Sequence, residues 1–367
     1  MTERSVLPVL QVEGSHREVG LQIGAACAAA VRNASSFDQG ETPRDGRTIA
    51  EQLRLASEYR DVTARELPYL VEELDAVAEA ADVDPLRVFA ASIEEIWQSD
   101  DPAEAGGSAL GSEPGKCSDL VVGPPVTSGD RVLIAHNNDL DAGVETHLTA
   151  IEWKVDDELA MFTIGVGPWI SVGWNAAGLA LSGNELAPSD NRIGVPRLLL
   201  VREQLRSANM QDAVGAALHP ARASAYNTIF AMPDGEVVNV EGSATDGEIT
   251  TLGGDGTLVH TNHYVCESML GYEDDPGYAK RSAMRLDRAA ELLEQASARP
   301  GSVTEAVLIG MLSDHENAPD SLCRHPAPET STKTVFWCVT DVKDRHVTFG
   351  RGNPCSSTPQ QFRFGSG

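Results

Sequence analysis

Cys117 occupies the position in this sequence that best suits nucleophilic chemistry. It follows the stretch 99–115, which is rich in Gly, Pro, Ser and acidic residues and is therefore expected to stay solvated and easy to cut. A strongly apolar, strand-like run begins directly after it, at 118–122. A thiol at this junction could become a new N-terminal residue after cleavage, although the position alone favours a small, inert cysteine at the start of a strand.

Three polar clusters follow strand-like runs, at 136–141, 260–263 and 321–325. Strand ends and the loops beside them are where sites are usually built. Each cluster on its own fits a turn, with polar groups satisfied locally, better than it fits a site. Together they indicate one site assembled from distant parts of the chain.

A zinc hydrolase could use His136, Asp139, His260 and His263 as ligands. The pattern is weak, because His260 and His263 are three residues apart on a strand-to-loop segment and face different directions. The sequence also lacks a helical HExxH motif. We therefore predict no metal site and no cofactor.

The cysteines lie far apart, without a Cys-x-x-Cys pair, and this argues against a zinc knuckle and against a disulfide scaffold. They are residues 27, 117, 266, 323, 338 and 355. A cysteine nucleophile with a separate histidine base stays possible, since the chain has nine histidines. An N-terminal cysteine needs no histidine, because its own α-amino group, with a pKa of about 8, can take the thiol proton.

The charge of the chain excludes two classes of partner. Lys and Arg number 28 against 55 Asp and Glu, a net charge of -27, which disfavours nucleic acid and anionic membrane surfaces. Lys accounts for only five of the basic residues, which fits either a salt-adapted acidic surface or a GC-rich genome. No apolar run reaches membrane-spanning length and the N-terminal residues do not resemble a secretion signal, so we expect a cytoplasmic protein.

The order of the elements predicts an α+β layered fold with antiparallel sheets. The first hundred residues have helical periodicity, with a capping box at Ser15 and Glu18 and an N-cap at Asp84 before Pro85. Short strands follow from 118 to 182, with the first ending at 122 and the second at 137. A helix is predicted over 195–218, and strands and helices then alternate to the end. No P-loop or G-x-G-x-x-G motif supports nucleotide binding.

The ordered motifs resemble those of the isopenicillin N acyltransferase family of self-processing N-terminal nucleophile (Ntn) hydrolases. They are Cys117-Ser-Asp, Asn138-Asp139, Gly173-Trp-Asn175-Ala-Ala-Gly178, Gly194-Val-Pro196, His260-Thr-Asn262-His263 and Ser321-Leu-Cys-Arg324. The segment Gly14–Gly24 is similar to the opening helix of the family. The resemblance implies a four-layer αββα Ntn hydrolase fold.

The resemblance also implies roles for individual residues. Cys117 matches the nucleophile, so the precursor would be cut between Lys116 and Cys117 into a mainly helical small subunit, 1–116, and a large subunit, 117–367. Asp139 matches an active-site aspartate, and Asn262 matches the asparagine that faces the oxyanion. From the residues alone, a turn-capping aspartate and an Asx turn are the alternatives for these two.

Three further residues are candidates for substrate binding. Ser243 falls on a serine that the fungal enzyme of the family places in its site. At 330–331 the penicillin-forming enzyme has a Ser-Arg pair, whereas this chain has Thr330 and Ser331, which puts penicillin-type recognition in doubt. Arg324 could bind a substrate carboxylate or form a structural salt bridge.

The predicted function is hydrolysis of a linear amide, an N-acyl amine or N-acyl amino acid, through an acyl-enzyme on Cys117. The alternatives are an acyl-CoA-dependent N-acyltransferase of the 6-aminopenicillanate type and an unprocessed binding homologue. The predicted partners are a small amide or acyl-CoA substrate and the two chains of one precursor.

Overall fold

The structure is a computed structural model that describes residues 6–36, 48–97, 117–328 and 330–365, with the side chains of residues 96 and 97 outside that description. The helices are α1 (His16–Ala26), α2 (Ala28–Ala34), α3 (Ile49–Glu66), α4 (Pro68–Ala81), α5 (Pro85–Ala91), α6 (Glu94–Trp97), α7 (Arg197–Gln204), α8 (Met210–Ala217), α9 (Pro276–Ala296) and α10 (Glu305–Leu312). No helix in the described part of the chain is long and apolar enough to cross a membrane.

The strands form two sheets. They are β1 (Val9–Gly14), β2 (Ser118–Val122), β3 (Leu133–Asp141), β4 (Leu148–Val155), β5 (Met161–Val166), β6 (Trp169–Asn175), β7 (Ala180–Asn184), β8 (Asn227–Ala231), β9 (Val237–Gly242), β10 (Gly247–Thr251), β11 (Thr257–His260), β12 (Thr332–Asp341), β13 (His346–Arg351) and β14 (Gln360–Arg363). An eight-stranded sheet has the order β1-β4-β5-β6-β7-β8-β9-β10, and a six-stranded sheet has the order β11-β2-β3-β12-β13-β14. All pairs are antiparallel except β1 with β4.

Alternation along the strands divides the core into three apolar layers. In β4, Ile151 and Trp153 pack with the N-terminal helices, whereas Leu148 and Ala150 pack toward the other sheet. The same alternation in the six-stranded sheet sends Leu120 and Val122 toward α9 and α10, whereas Val121 faces the other sheet. Because side chains on a strand alternate between faces, each sheet buries both of its faces. The expected α+β, four-layer αββα fold is therefore confirmed.

The N-terminal helices begin where the sequence predicts. Ser15 and Glu18 form the capping box of α1, and the Asp84 side chain accepts hydrogen bonds at the start of α5. Gly20 and Gly24 let α1 lie against α4, since a Cβ at either position would come within 2.4 Å of a backbone oxygen of α4. The β1 strand was not predicted, and it joins the eight-stranded sheet by parallel pairing with β4.

The single helix predicted over 195–218 is wrong, since α7 and α8 are separate. The Asn175 side chain donates hydrogen bonds to the carbonyl groups of Leu205 (2.9 Å) and Ser207 (2.7 Å), which a continuous helix would use internally. Asn209 then caps α8 through its side-chain oxygen. A similar interruption at Ser92 separates α5 from α6.

The prediction that the second strand ends at 137, which would leave Asn138 and Asp139 in the turn after it, is also wrong. Strand β3 continues through both residues, because β12 pairs with it as far as the Thr332–Asp141 pair. A register shift between Thr334 and Phe336 accommodates this extension. Polar side chains are therefore carried into the interior on a strand and held in fixed positions.

Candidate active site

Cys117 directly precedes β2, the strand between β3 and β11. The residue is only 6 % exposed, and its Sγ accepts a hydrogen bond from the side-chain amide of Asn138 at 3.6 Å. Burial raises the pKa of the Cys117 thiol well above its ordinary value, and the carboxylates of Asp139 and Asp119 raise it further. The thiol therefore needs a nearby base before it can act as a nucleophile.

Asp139 lies beside Cys117 in the interior. Its Oδ1 accepts a hydrogen bond of 2.6 Å from Thr334 Oγ1, whereas its Oδ2 has no partner among the described residues. Burial raises the pKa of Asp139 to about 6, although the charges of Arg324 and Arg285 and the bond from Thr334 act in the opposite direction. One carboxylate oxygen thus stays available to a group introduced next to the thiol.

Asn262 follows β11 and is fully buried. Its Oδ1 accepts a hydrogen bond of 2.6 Å from Arg285 Nη2, and its Nδ2 donates to the carbonyl of Glu185 at 3.0 Å. Because a guanidinium can only donate, this contact identifies which side of the amide is oxygen and which is nitrogen. Asn262 therefore presents an N–H donor in a fixed orientation.

Arg285, on α9, is a site residue that sequence reasoning missed. Besides Asn262, its Nη2 approaches the backbone carbonyl of Cys117 at 3.4 Å. The side chain is 1 % exposed, and its Nη1 has no hydrogen-bond partner within the described ranges. One guanidinium thus joins the candidate nucleophile to the candidate oxyanion donor. Its helical position gave no signal in the sequence.

Arg324 joins the same cluster through β12. Its backbone amide donates to Thr334 Oγ1 at 3.0 Å, and that hydroxyl in turn donates to Asp139. The guanidinium is 1 % exposed and donates from Nη1 to Asp320 at 2.8 Å, while its Nε lacks a partner in the part of the chain that is described. The structure thus brings Cys117, Asp139, Asn262 and Arg324 together from four distant segments.

A buried polar chain lies behind the thiol. The Asn138 side-chain amide that contacts Cys117 also lies 3.3 Å from His136 Nε2, and His136 Nδ1 lies 3.0 Å from Asp119 Oδ1. Ser182, on β7, donates to the same oxygen of Asp119. If Asn138 donates to Nε2, the neutral imidazole carries its proton on Nδ1 and donates toward Asp119. This series of hydrogen bonds holds the Asn138 side chain against the Cys117 thiol.

The zinc ligand set considered for His136, Asp139, His260 and His263 is not assembled. His260 contacts Glu241 at 2.8 Å and Asn184 at 3.1 Å, whereas His263 contacts Ser282 at 2.9 Å. His136 has the separate partners described above. These side chains therefore stabilise different parts of the interior.

Ser243 and Ser331 lie in other hydrogen-bond networks. Ser243 Oγ donates to Asp190 at 2.9 Å and accepts from the amide of Asp246 at 3.0 Å, in the turn after β9. Ser331 is exposed and donates to Asp141 just before β12. Both substrate-binding roles stay predictions. Lys116, the other residue of the predicted cleavage site, lies outside the described residues.

No curated protein sequence matches this chain. Among solved structures, similarity extends to a Caenorhabditis elegans N-acylethanolamine-hydrolyzing acid amidase ortholog, with 15% identity over 62% of this chain and 93% of that one, at a TM-score of 0.43. A variant of the conjugated bile acid hydrolase from Clostridium perfringens shares 12% identity over 68% and 97% of the two chains, at a TM-score of 0.46. Penicillin V acylase from Agrobacterium tumefaciens shares 14% over 68% and 87%, at 0.43.

The family assignment comes from the sequence of the large C-terminal part. A family model matches residues 126–356, well over half of the chain. The match includes Asp139, Asn262 and Arg324, and it begins nine residues after Cys117. The chain belongs to the acyl-coenzyme A:6-aminopenicillanic acid acyl-transferase family.

Proposed function

We propose that this protein is a self-processing N-terminal cysteine hydrolase that cleaves a linear amide, such as an N-acyl amine or an N-acyl amino acid. The observation that carries the proposal is the assembly of a buried thiol, a carboxylate, a fixed amide donor and two guanidinium groups around the start of β2. The family to which the chain belongs supports an enzyme that acts on amide carbon–nitrogen bonds.

Maturation begins on the precursor. The Cys117 thiol attacks the carbonyl carbon of Lys116, and the acyl group moves from the Cys117 nitrogen to its sulfur. The resulting thioester is hydrolysed by water, which leaves a carboxylate on Lys116 and restores the thiol. The products are the chains 1–116 and 117–367, and Cys117 then carries a free α-amino group.

That amino group supplies the base that the thiol needs. With a pKa of about 8 in its free form, it can accept the thiol proton directly or through one water. Asp139 Oδ2, which has no partner among the described residues, is suited to anchor the α-ammonium that forms. The thiolate then attacks the substrate carbonyl and forms an acyl-enzyme, the protonated amine leaves, and water releases the acid.

Asn262 is the proposed oxyanion donor. Its Nδ2 side is fixed by the bond from Arg285 to Oδ1, so the donor is oriented before substrate arrives. A preorganised donor of this kind contributes about 3 kcal/mol to lowering the barrier. Arg324 is the proposed carboxylate-binding group, because its buried Nε has no partner within the described residues.

The two proposed chains would remain one layered domain. Strand β1 of the small chain pairs with β4 of the large one, and Glu73 of α4 contacts Arg202 of α7 at 2.9 Å. Such contacts would persist after cleavage. The cytoplasm is the proposed location.

Acyl transfer is the second candidate function, since the family is named for an acyl-CoA-dependent transferase. Hydrolysis is preferred because transfer requires a site that keeps water from the thioester, and because Ser331 replaces a feature of the penicillin-forming enzyme. An unprocessed binding homologue is the third candidate, and it would need none of the cluster around Cys117.

Intact mass under denaturing conditions tests the proposal. The wild-type protein should give masses for 1–116 and 117–367, and Cys117→Ala should give one uncut, inactive chain. Cys266→Ser is the matched control, since this cysteine lies outside the cluster, and it should process normally. An active, full-length wild-type chain, or efficient cleavage of Cys117→Ala, would refute the assigned nucleophile.

A further inference from the structure

Four side chains that the proposed chemistry does not use converge at one point. They come from the loop after α10 and the loop after β13, and they are His315, Cys323, His325 and Cys355. One ligand atom from each lies within 4.8 Å of all the others. Cys323 and His325 belong to the polar cluster 321–325, but His315 is 10 residues and Cys355 is 30 residues from His325, so the expectation of no metal site did not consider the four together.

Four of the six separations between these atoms match the edges of a tetrahedral coordination shell, and the two between His315 and the sulfurs are at most 4.8 Å. The two Sγ atoms are 3.7 Å apart, His325 Nε2 lies 3.7 Å from Cys323 Sγ and 3.5 Å from Cys355 Sγ, and the two Nε2 atoms are 3.1 Å apart. Around tetrahedral zinc, with Zn–S of about 2.3 Å and Zn–N of about 2.05 Å, the corresponding edges are about 3.8, 3.6 and 3.3 Å. The four edges therefore fit an ion of this size.

Hydrogen bonding alone does not account for the convergence. His325 Nε2 faces His315 Nε2 and both thiols at once. A neutral imidazole nitrogen is either one donor or one acceptor, so it can satisfy only one of these three neighbours well. A cation at the centre accepts a lone pair from every one of the four groups.

We propose that His315, Cys323, His325 and Cys355 bind a zinc ion. Two thiolates and two imidazoles in a tetrahedral arrangement are the donor set that zinc prefers. Four protein ligands leave no open position for water or substrate, which is typical of a structural site. Asn353 supports it from outside, because its Nδ2 donates to Cys323 Sγ at 3.5 Å.

The proposed ion would fix the position of the segment that contains Arg324. This residue stands between two of the ligands, and its carbonyl accepts a hydrogen bond from Asn353. Cys355 lies on the loop after β13, so the ion would link that loop to the segment 323–325. Zinc would thereby hold the backbone on both sides of Arg324, the residue whose charge acts on Asp139.

Metal analysis of the full, tag-free protein, expressed with zinc and kept reduced, tests the proposal. After extensive dialysis the wild type should retain about one zinc ion per chain. Cys355→Ser and His315→Asn should retain at least tenfold less, and both sites are exposed, so these variants should fold. Cys266→Ser is the matched control and should retain the full amount. Equal zinc in Cys355→Ser and the wild type would overturn the site.

Cobalt provides an independent readout. Reduced apoprotein loaded with Co²⁺ should show the visible absorption of a tetrahedral ion and a thiolate charge-transfer band, and both should be missing from Cys355→Ser. Zinc should also protect Cys355 from alkylation, as measured by peptide mass mapping. Failure of the wild type to bind either metal, or a Cys323–Cys355 disulfide in protein kept under reducing conditions, would overturn the proposal.

Discussion

Arg285 Nη2 donates to Asn262 Oδ1 at 2.6 Å, and this bond determines which face of the amide carries its donor hydrogens. The same guanidinium nitrogen approaches the carbonyl of Cys117 at 3.4 Å. An arginine on a helix thus contacts both the proposed oxyanion donor and the backbone of the proposed nucleophile. The consequence is that the amide of Asn262 is held in one orientation by Arg285 on its oxygen and by the carbonyl of Glu185 on its nitrogen.

Replacing Asn262 with Leu should lower kcat by about 10²–10³ and leave KM nearly unchanged, because the lost donor acts mainly in the transition state. Steady-state hydrolysis by processed enzyme measures the effect, after intact mass has established that the variant is cut. Asn239→Leu, a buried amide on β9 that contacts Thr250, is the control and should keep its activity. A large rise in KM with normal kcat would contradict the assigned role.

Asp139→Asn should stabilise the uncut protein as the pH rises. Burial raises the pKa of Asp139 to about 6 from an ordinary value of 3.8, so the folded state holds this proton more tightly than the unfolded state. The stability that the protonated Asp139 carboxyl group contributes is therefore lost as the pH rises from about 4 to 6. The pKa shift corresponds to an increase in the free energy of unfolding on the order of 2–3 kcal/mol for the Asn variant at pH 7, and to little change at pH 4.

The comparison uses Cys117→Ala as background, so that no new α-amino group forms beside the carboxylate. Urea unfolding at several pH values gives the free energy of unfolding of each variant. Asp61→Asn, an exposed position on α3, is the matched control and should show no pH-dependent gain. The same gain at pH 4 and pH 7 would contradict the raised pKa.

Arg202→Met should weaken the contact between the two proposed chains. Arg202 is buried and reaches Glu73 at 2.9 Å and Glu158 at 2.6 Å. Its removal takes a buried cation from both carboxylates, which costs about 3 kcal/mol, the low end for breaking a buried ion pair. The cost is limited because His16 still contacts Glu73 at 2.7 Å and Arg206 still contacts Glu158 at 2.6 Å. The denaturation midpoint of the processed protein should fall, and the fragments should separate at lower urea in size-exclusion chromatography.

Arg54→Met is the control for that experiment. Arg54 forms an exposed ion pair with Glu58 on the same helix, and such pairs contribute about 0.5 kcal/mol. A midpoint shift as large as that of Arg202→Met would mean that burial of the ion pair is not the cause.

Acyl release separates hydrolysis from transfer. Processed enzyme should release free acid from an N-acyl amino acid or N-acyl amine in water alone, at a rate that added amine or acyl-CoA does not raise. Cys117→Ala supplies the blank. Product that forms only when an amine acceptor and an acyl-CoA donor are both present would reverse the preference and make the protein a transferase.

The order of strands and helices and local signals such as the caps at Ser15 and Asp84 predicted the α+β class, whereas the four-layer αββα arrangement came from the family resemblance. It also selected Cys117, Asp139, Asn262 and Arg324, although they lie on four separate segments, because their motifs occur in a family order. Arg285 and the cluster around His325 were missed. Their partners come from loops and helices far apart in the chain, so only the packed layers bring them together.

The errors have the same origin. Asn138 and Asp139 appeared to be turn residues because polar side chains are rare inside strands, and only the pairing with β12 carries the strand through them. The helix predicted over 195–218 is interrupted because Asn175, a residue on β6, donates hydrogen bonds to the carbonyl groups of Leu205 and Ser207. Tertiary hydrogen bonds overrode the local pattern in both cases.

Ser182 belongs to the eight-stranded sheet, and the Asp119 oxygen to which it donates belongs to the six-stranded sheet. A buried hydrogen bond has a narrow range of favourable distances and angles, so it adds a directional constraint to the apolar packing between the two sheets. This contact therefore restricts how far the two sheets can shift relative to each other. Because Asp119 also contacts His136, and Asn138 lies between His136 and the Cys117 thiol, the position of that thiol depends on the eight-stranded sheet as well as on its own.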